Sequence, residues 1–357
     1  MTTALERFRV IDLSESVAGQ YCCRLMADYG ASVMLIEPPE GSGLRHQAPM
    51  GQDGASLVFR HLNHGKVLHR LYPGSTTAQL AALAVGVDLA VVPAGFDAGG
   101  IRNGNPDCII LDVSIFGKDG PFSDWQGSEM IVQALSGMMN NNGEAGRPPL
   151  FGTGQRAAYA AGIAAYISGL ALLLSRDKGA SARHASVDVA ETAAAMSFPY
   201  VLQHAYNATD RRRGDQEIPA GQVLCRGTWV CIWVYPFRFA AMCRTLGLEK
   251  LIDDPRFADP AERTCNWTAL FDEIQEALVD RDAEEVVRQL QEAQVISACA
   301  YRPSELAQNP HLKIRDFWKT TQMEGSEVQV LGPTFRMSRT PHRLSSEDMP
   351  RAQMVTR

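Results

Sequence analysis

The feature that most limits the possible folds is an alternation of short apolar strands with a helix in the first 36 residues. Residues 9–13 (RVIDL) and 31–36 (ASVMLI) are typical of strands, and residues 18–29 have the spacing of a helix that ends at Gly30. A strand, a helix and a second strand within about thirty residues form a βαβ unit, in which the two strands are parallel and the crossover is right-handed. The alternation predicts an α/β fold.

The alternation continues beyond this unit. A helical pattern at 76–84 precedes a strand at 87–92, another strand is predicted at 108–113, and helical spacing returns at 128–139. Such a chain builds an open, doubly wound parallel sheet, which binds ligands beyond the carboxyl ends of its strands. The first strand-to-helix turn lacks G-x-G-x-x-G, so a nicotinamide dinucleotide site is not predicted.

A polar, turn-rich stretch predicts a division into two domains, which suits a length of 357 residues. The predicted large α/β domain spans 1–202, and a linker at 203–224 includes a run of three arginines. A smaller α+β domain follows at 225–320, with one strong strand and several helices. Residues 321–357 form a polar C-terminal segment.

Charge and cysteine usage exclude several classes of protein. The net charge is −6 and there is no basic stripe, so a nucleic-acid partner is not expected. Eight cysteines without C-x-x-C spacing and an N-terminus without an apolar signal core predict a cytoplasmic protein with reduced thiols and no metal site. Residues 157–174 lack charge, but their Ala- and Gly-rich composition favours a buried helix over a membrane span.

Several motifs together resemble the family III CoA-transferases, the CaiB/BaiF group. The first is VIDLSESVAGQYCCRLMADYGASVMLIEPPEGSGLR at 10–45, which is similar to the N-terminal signature of that family. Further matches in the family's order are LNHGK at 62–66, GKDGP at 117–121, GSEMIVQALSGMM at 127–139 and SELAQNPHL at 304–312. The resemblance covers roughly residues 7–320.

The resemblance implies more than the residue pattern does. It implies that the large domain is Rossmann-like, that the last residues return to it, and that two chains interlock like rings. It also implies transfer of CoA from an acyl-CoA donor to a small carboxylic acid, with the CoA thioester as substrate and no resident cofactor. The assembly is then a homodimer or a heteromer with a related subunit.

The resemblance also assigns the reacting carboxylate. In this family the nucleophile is an aspartate in a V-D-V-x-x-x-D-A stretch, and counting from Arg176 assigns that position to Glu191 in SVDVAETA. A carboxylate can attack a thioester and carry the acyl group as a mixed anhydride. Glutamate extends roughly 1.5 Å further than aspartate, and a misplacement of about 1 Å can cost ~100-fold in rate. Asp188 is the second candidate, and Glu129 matches a position that flanks the nucleophile.

Five further residues match family positions that contact CoA. Val17, Ala18 and Gln20 lie in the turn and helix start where the thioester is expected to pass. Arg45 and Lys66 match positions near the nucleotide and the phosphates, which need cationic partners.

Two alternatives stay open at this point. The chain departs from the family at its nucleophile, and the segment 93–95 (PAG) replaces an Arg-Pro-Gly. A non-catalytic subunit of a heteromeric CoA-transferase would tolerate both changes. An acyl-CoA racemase of the same fold is disfavoured, because its His–Asp pair would fall on Ser128 and Ala157, which cannot move an α-proton.

Overall fold

The computed structural model describes residues 2–71, 76–213, 220–323, 326–342 and 353–354. Contacts divide the chain into two compact units, one formed by Met1–Arg213 with Phe317–Arg357 and the other by Gly214–Asp316. Each unit has its own sheet and its own hydrophobic core.

The first unit is built on a parallel sheet. Its strands are β1 (Arg9–Asp12), β2 (Ser32–Glu37), β3 (Val67–Arg70), β4 (Leu89–Val92), β5 (Ile109–Ser114), β6 (His184–Asp188) and the C-terminal β12 (Gln353–Met354). They lie in the order β12-β3-β2-β1-β4-β5-β6, and every neighbouring pair is parallel. The sheet order reverses between β1 and β4. The predicted doubly wound, Rossmann-like α/β fold is confirmed.

Helices cover both faces of this sheet. They are α1 (Val17–Asp28), α2 (Leu57–Asn63), α3 (Thr76–Leu83), α4 (Gly99–Gly104), α5 (Glu129–Leu135), α6 (Arg156–Asp177), α7 (Val189–Met196) and α8 (Phe198–Asn207), with a short 3-10 helix at Gly43–His46. Residues of α1, α6 and α7 share one core with the sheet, and residues of α3 and α4 share a second core on its other face. Covered on both faces, β4 is buried along its whole length.

The long helix α6 packs small residues against α1. Ala161, Ala165 and Gly169 are spaced four residues apart on its buried face. At Gly162 a Cβ would lie only 2.8 Å from a carbonyl oxygen of α1, so glycine permits the close approach. The opposite face leaves Ile167 61% exposed. Among the described residues α6 alone is long and apolar enough to span a membrane, but by length and composition only.

The second unit is a smaller α+β structure, as predicted. It comprises β7 (Ala220–Cys225), β8 (Thr228–Trp233), α9 (Phe239–Leu246), α10 (Pro260–Cys265), α11 (Trp267–Leu278), α12 (Ala283–Glu292), β9 (Ile296–Cys299), α13 (Pro303–Leu306) and α14 (Pro310–Ile314), with 3-10 helices at Pro236–Arg238, Glu249–Leu251 and Pro255–Phe257. The three strands are antiparallel. Val230 and Ile232 point into the core, whereas Trp229 and Trp233 alternate with them on the exposed face.

The C-terminal segment adds to the first unit. Strands β10 (Trp318–Met323) and β11 (Ser326–Leu331) form an antiparallel hairpin. Beyond it, the ring of Phe335 stacks on Tyr29 with centroids 4.0 Å apart, and the Tyr29 hydroxyl donates to the Phe335 carbonyl at 2.7 Å. Strand β12 then pairs with β3 at the edge of the parallel sheet.

The structure departs from the prediction between the two units. The predicted linker 203–224 contains the end of α8 and nearly all of β7, while residues 214–219 lie outside the described residues. Neither α8 nor β3 was predicted. The apolar residues Phe198, Val201 and Leu202 of α8 have helical spacing but are exposed, and β3 carries His69 and Arg70 among only four residues. The interlocking of two chains stays a prediction.

Candidate functional site

A cavity of about 500 Å³ opens where the parallel strands β1, β4 and β5 end. It lies beside the point at which the sheet order reverses, the usual ligand site of a doubly wound sheet. Its wall is formed by the loops after these three strands and by the segment before α5. Residues of the wall that matter below are Ser16, Pro93, Ser114, Gly117, Lys118 and Trp125.

The N-terminus of α1 begins at this wall. Ser16 is its N-cap, and the Ser16 Oγ accepts the N–H of Gly19 at 3.1 Å. Gly19 is required because a Cβ would lie 2.4 Å from the Cβ of Ser14. Within the described part of the chain the N–H groups of Val17 and Ala18 donate no hydrogen bond. Two donors at a helix N-terminus suit an anionic oxygen, and these residues stay predicted ligand contacts.

The side chains of Lys66 and Gln20 are buried and engaged with other residues of the chain, and their ligand roles stay predictions. The Lys66 Nζ donates to Asp12 Oδ2 at 2.8 Å, to the Gln20 carbonyl at 2.8 Å and to Asn63 Oδ1 at 2.9 Å, which uses all three ammonium protons. The Gln20 amide donates to the Ser14 carbonyl at 3.2 Å and accepts from Asn63 at 2.7 Å. This network ties α1 to the end of β1 and the start of β3.

His61, near this network, should make stability depend on pH. Burial lowers its pKa from 6.5 to about 4, and Arg24, His64 and Lys66 add to the shift through their positive charge. As pH falls, the unfolded chain takes up this proton before the folded chain does. The contribution of His61 is therefore full above about pH 6.5 and is lost toward about pH 4, by at most about 3 kcal/mol.

Replacing His61 with asparagine should flatten this part of the curve. Urea unfolding of both proteins at about pH 7 and about pH 5 measures the change, because the unfolding free energy of the variant should fall less between the two. Equal losses in the two proteins would show that His61 does not carry the effect.

Arg45 lies beyond the carboxyl end of β2 and is held by the buried Glu37. Its Nε and Nη2 donate to the two carboxylate oxygens of Glu37 at 2.7 and 2.8 Å, and its guanidinium lies 4.2 Å from the ring centroid of Phe59. Arg70 reaches the same carboxylate at 3.4 Å. Burial opposes ionisation of Glu37, but hydrogen bonds from Arg45 and the Ser42 N–H outweigh it and hold its pKa below the usual value.

This cluster carries a surplus positive charge. The side chains of Arg45 and Arg70 are 31% and 37% exposed, whereas that of Glu37 is fully buried. Two guanidinium groups share one carboxylate, so the cluster can still attract a phosphate. Arg70 was missed in the sequence because β3 was missed.

Glu129 caps the long helix α6. Its two carboxylate oxygens accept the N–H of Ala157 at 2.8 Å and of Ala158 at 3.1 Å, and Oε1 also accepts the Gln133 amide at 2.7 Å. The N-cap residue Gln155 makes no side-chain capping bond, so the carboxylate from α5 replaces it. The structure thus gives Glu129 a structural task, and its place beside a nucleophile stays a prediction.

Glu129→Ala should lower the free energy of unfolding by about 1–2 kcal/mol, because α6 loses its cap. Glu129→Gln keeps an acceptor oxygen and should lose less. Glu144→Ala is the matched control, since Glu144 pairs only with Arg147 on the surface and should change stability by less than about 0.5 kcal/mol. Urea unfolding that gives the same midpoint for Glu129→Ala and Glu144→Ala would contradict the capping role.

Asp188 brings a carboxylate to the cavity wall. The register of β5 and β6 places it opposite Ser114, whose hydroxyl donates to Asp188 Oδ1. The Gly117 N–H donates in turn to the Ser114 Oγ at 2.8 Å. A Cβ at Gly117 would lie 3.1 Å from Asp188 Oδ2. Because Ser114 and Gly117 line the cavity, the N-cap of α7 stands at its rim.

Glu191 lies in the first turn of α7, and its side chain is exposed. Among the described residues it makes no hydrogen bond or ion pair. It follows Asp188 by three residues, and Asp188 is the N-cap of the same helix, whose backbone is still extended there. However, counting the family motif from the V-D-V at 187–189 places the second aspartate at Ala193, which is fully buried. The assigned position and the motif spacing disagree by two residues.

The sequence analysis did not identify the wall of the cavity. Lys118 falls in the GKDGP motif, but Glu15, Asp124 and Trp125 had no assigned role. Their only sequence signal is their position after the ends of predicted strands or before a predicted helix. The structure also pairs His184 with Asp112 across β5 and β6, at 3.0 Å, which the sequence did not suggest.

Burial shields most of the thiols of the chain from solvent. All eight cysteines are free, and seven of them are at least partly buried. Burial raises the pKa of Cys108 to about 12 and that of Cys243 to about 11, which keeps both thiols protonated. Within the described residues no group of three or more His, Cys, Asp or Glu side chains could hold a metal ion.

Comparison with known proteins gives consistent matches along the chain. The sequence profile described as CoA-transferase family III matches residues 5–354. A formyl-CoA:oxalate CoA-transferase of Streptomyces avermitilis is 27% identical and covers 98% of this chain and 93% of the relative. A succinyl-CoA:mesaconate CoA-transferase of Haloarcula marismortui is 26% identical, and the match covers 94% of this chain and 91% of the relative. The crystal structure of a CAIB/BAIF family protein from Brucella suis superposes with a TM-score of 0.89, at 20% identity over 99% and 97% of the chains.

Proposed function

Because the chain belongs to CoA-transferase family III, we propose that it moves CoA from an acyl-CoA donor to a free carboxylic acid through an enzyme carboxylate. The predicted family and its assignment to the CoA-transferase enzymes are confirmed. The names of the relatives specify oxalate and mesaconate as acceptors, and those acids are stated for those proteins alone. The proposal extends the reaction type, an acyl-CoA with a carboxylic acid, to this chain.

The proposed nucleophile is Glu191. Its carboxylate oxygen attacks the donor thioester carbon, the C–S bond breaks, and CoA leaves as a thiolate from a mixed anhydride. The thiolate then attacks the glutamyl carbonyl, which releases the donor acid and leaves an enzyme CoA thioester. The acceptor carboxylate attacks that thioester, and the freed thiolate attacks the acceptor carbonyl of the new anhydride. Acceptor acyl-CoA forms, the Glu191 carboxylate is restored, and no net proton is consumed.

The observation that carries the proposal is the placement of α7 at the cavity rim. Asp188, at its N-cap, contacts the wall residue Ser114, and Glu191 lies in the first turn of the same helix with an exposed carboxylate that makes no hydrogen bond or ion pair with the described residues. The N–H groups of Val17 and Ala18 would donate hydrogen bonds to the oxyanion of each tetrahedral intermediate. Each such donor stabilises a transition state by about 3 kcal/mol. Arg45 would contact the nucleotide end of CoA, because its side chain is partly exposed.

Hydroxylamine trapping tests the proposal directly. The purified protein is incubated with a panel of acyl-CoAs, and its intact mass is measured with and without hydroxylamine, which converts a carboxyl anhydride or thioester to a stable hydroxamate. Peptide mapping then locates the adduct. A hydroxamate at Glu191 supports the proposal. A hydroxamate at Asp188 would show that Asp188, and not Glu191, is the nucleophile.

A second candidate is a non-catalytic subunit of a heteromeric CoA-transferase. The buried Ala193 at the motif's aspartate position favours it, since a methyl group cannot form an anhydride. The first unit also leaves large apolar residues exposed along α6, α7 and α8, which a related subunit would cover: Ile163, Ile167, Leu174, Met196, Phe198, Val201, Leu202 and Tyr206. This candidate predicts no adduct and no transfer by the chain alone. It also predicts transfer after mixing with a relative that carries the aspartate.

We place the reaction in the cytoplasm, because eight free thiols fit a reducing compartment. The proposed reaction needs no resident cofactor, since each of its steps exchanges one acyl bond for another. Growth of cells that express a tagged chain, followed by fractionation, tests the location. Recovery of the chain in a secreted or membrane fraction would contradict it.

A further inference from the structure

An aromatic wall forms one side of the cavity beyond β1, β4 and β5. Phe116 and Trp125 line the cavity, with centroids 6.4 Å apart and rings at 86°, and Phe122 lies 4.2 Å from Trp125. Trp125 and Phe122 remain 51% and 38% exposed. Large rings that support one another and still face an open cavity are suited to pack against another ring.

The wall is fixed in place by the backbone. Gly127 passes so close to it that a Cβ there would lie 2.5 Å from Ile115 Cγ2 and 2.8 Å from Phe116 Cε2. Only glycine lets Phe116 sit against this segment, so the ring is held at the wall before any ligand binds. A preorganised surface loses little conformational entropy on binding.

The charges around the cavity limit the ligand that can fill it. Of the residues that line it, Lys118 alone is cationic, and Glu15 and Asp124 are acidic. Lys118 is exposed and has no partner among the described residues. One carboxylate can therefore pair with one ammonium, but a second carboxylate on the same ligand would face two acidic side chains without a cation.

We propose that this cavity takes an aromatic monocarboxylic acid, with its ring against Trp125 and Phe116 and its carboxylate on Lys118. The inference rests on the proposed function, for which this acid would be the acceptor or the acyl group of the donor. The site then differs in substrate class from the oxalate and mesaconate named for the relatives, which are dicarboxylates.

Calorimetric titration of the full chain with 3-phenylpropionate and with succinate tests the inference without requiring turnover. 3-Phenylpropionate should bind at least ~10-fold more tightly than succinate, because only it has a ring for Trp125 and no second carboxylate. Trp125→Ala should weaken 3-phenylpropionate binding by about 10-fold, and Trp125→Phe should retain most of it. Lys118→Ala should weaken it as well.

Trp229→Ala is the matched control. Trp229 is 49% exposed, close to the exposure of Trp125, but it lies on the sheet of the second unit, so its removal should leave both affinities unchanged. Equal affinity for the two acids, or an unchanged affinity in Trp125→Ala, would overturn the inference.

Two results would distinguish a failure of the inference from a failure of the proposed function. Transfer to succinate but not to 3-phenylpropionate would sustain the CoA-transferase function and overturn the aromatic assignment. Trp125-dependent binding of 3-phenylpropionate, with no hydroxamate and no transfer from any acyl-CoA, would sustain the cavity assignment and overturn a catalytic role for the isolated chain.

Discussion

Replacing Glu191 with alanine is expected to abolish CoA transfer, with a loss of at least ~1,000-fold in kcat, because the variant has no carboxylate to accept the acyl group. The exposed side chain of Glu191 makes no hydrogen bond or ion pair with the described residues, so its removal should leave stability unchanged within about 0.5 kcal/mol. Loss of activity without loss of stability separates a chemical role from a structural one. The measurement is acyl exchange between labelled acid and acyl-CoA, with thermal unfolding alongside.

Three variants sharpen this comparison. Glu284→Ala removes an exposed acid from the first turn of α12 in the second unit and should leave transfer unchanged. Asp188→Asn keeps the hydrogen bond with Ser114 but cannot form an anhydride, so it tests whether Asp188 is the nucleophile. Ala193→Asp restores the motif's aspartate, although a buried carboxylate at that position would also cost stability. Full transfer by Glu191→Ala, with loss in Asp188→Asn, would move the nucleophile to Asp188.

Replacing Lys66 with methionine is expected to destabilise the protein by about 3–5 kcal/mol, because Asp12 is left as a buried charge without its partner. The two side chains are 1% and 0% exposed and are joined at 2.8 Å. The substitution should also remove the hydrogen bonds from Lys66 to Gln20 in α1 and to Asn63 at the end of α2. Urea unfolding followed by circular dichroism measures the change.

The double variant Asp12→Asn with Lys66→Met provides the key control. It removes both charges, so much of the lost stability should return. Lys118→Met tests the same chemical change at an exposed position and should be nearly neutral. A Lys66→Met protein as stable as Lys118→Met would contradict the buried pair. A stable Lys66→Met protein with weakened CoA binding would instead support the predicted ligand role of Lys66.

Local patterns were sufficient to predict most elements of both units. Residues 9–13, 18–29 and 31–36 were predicted as strand, helix and strand, and the structure has β1, α1 and β2 there with bounds shifted by one residue at most. The apolar run of each strand and the spacing of each helix depend on burial along one segment, which the sequence displays. Strand β3 was missed because it has only four residues, two of them polar, and helix α8 was missed although Phe198, Val201 and Leu202 have helical spacing.

The candidate site was less predictable than the fold. Arg45 and Lys66 looked alike in the sequence, as single cations near family motifs, but one is a third exposed and the other is enclosed by three acceptors. Glu129 and Glu191 both lie in the first turn of a short helix, but both carboxylate oxygens of Glu129 accept hydrogen bonds from the start of α6. In each pair the difference comes from partners on other elements.

The sequence by itself determined the alternation of strands and helices, the doubly wound class and the family, because these follow from periodicity and from motifs a few residues long. Only the tertiary structure decided which polar side chains are exposed and which are engaged with distant partners. Lys66 meets Asp12 across 54 residues, Ala157 meets Glu129 across 28, and Ser114 meets Asp188 across 74. Whether a charge is exposed or satisfied depends on such distant partners, and strand register and helix packing bring them together.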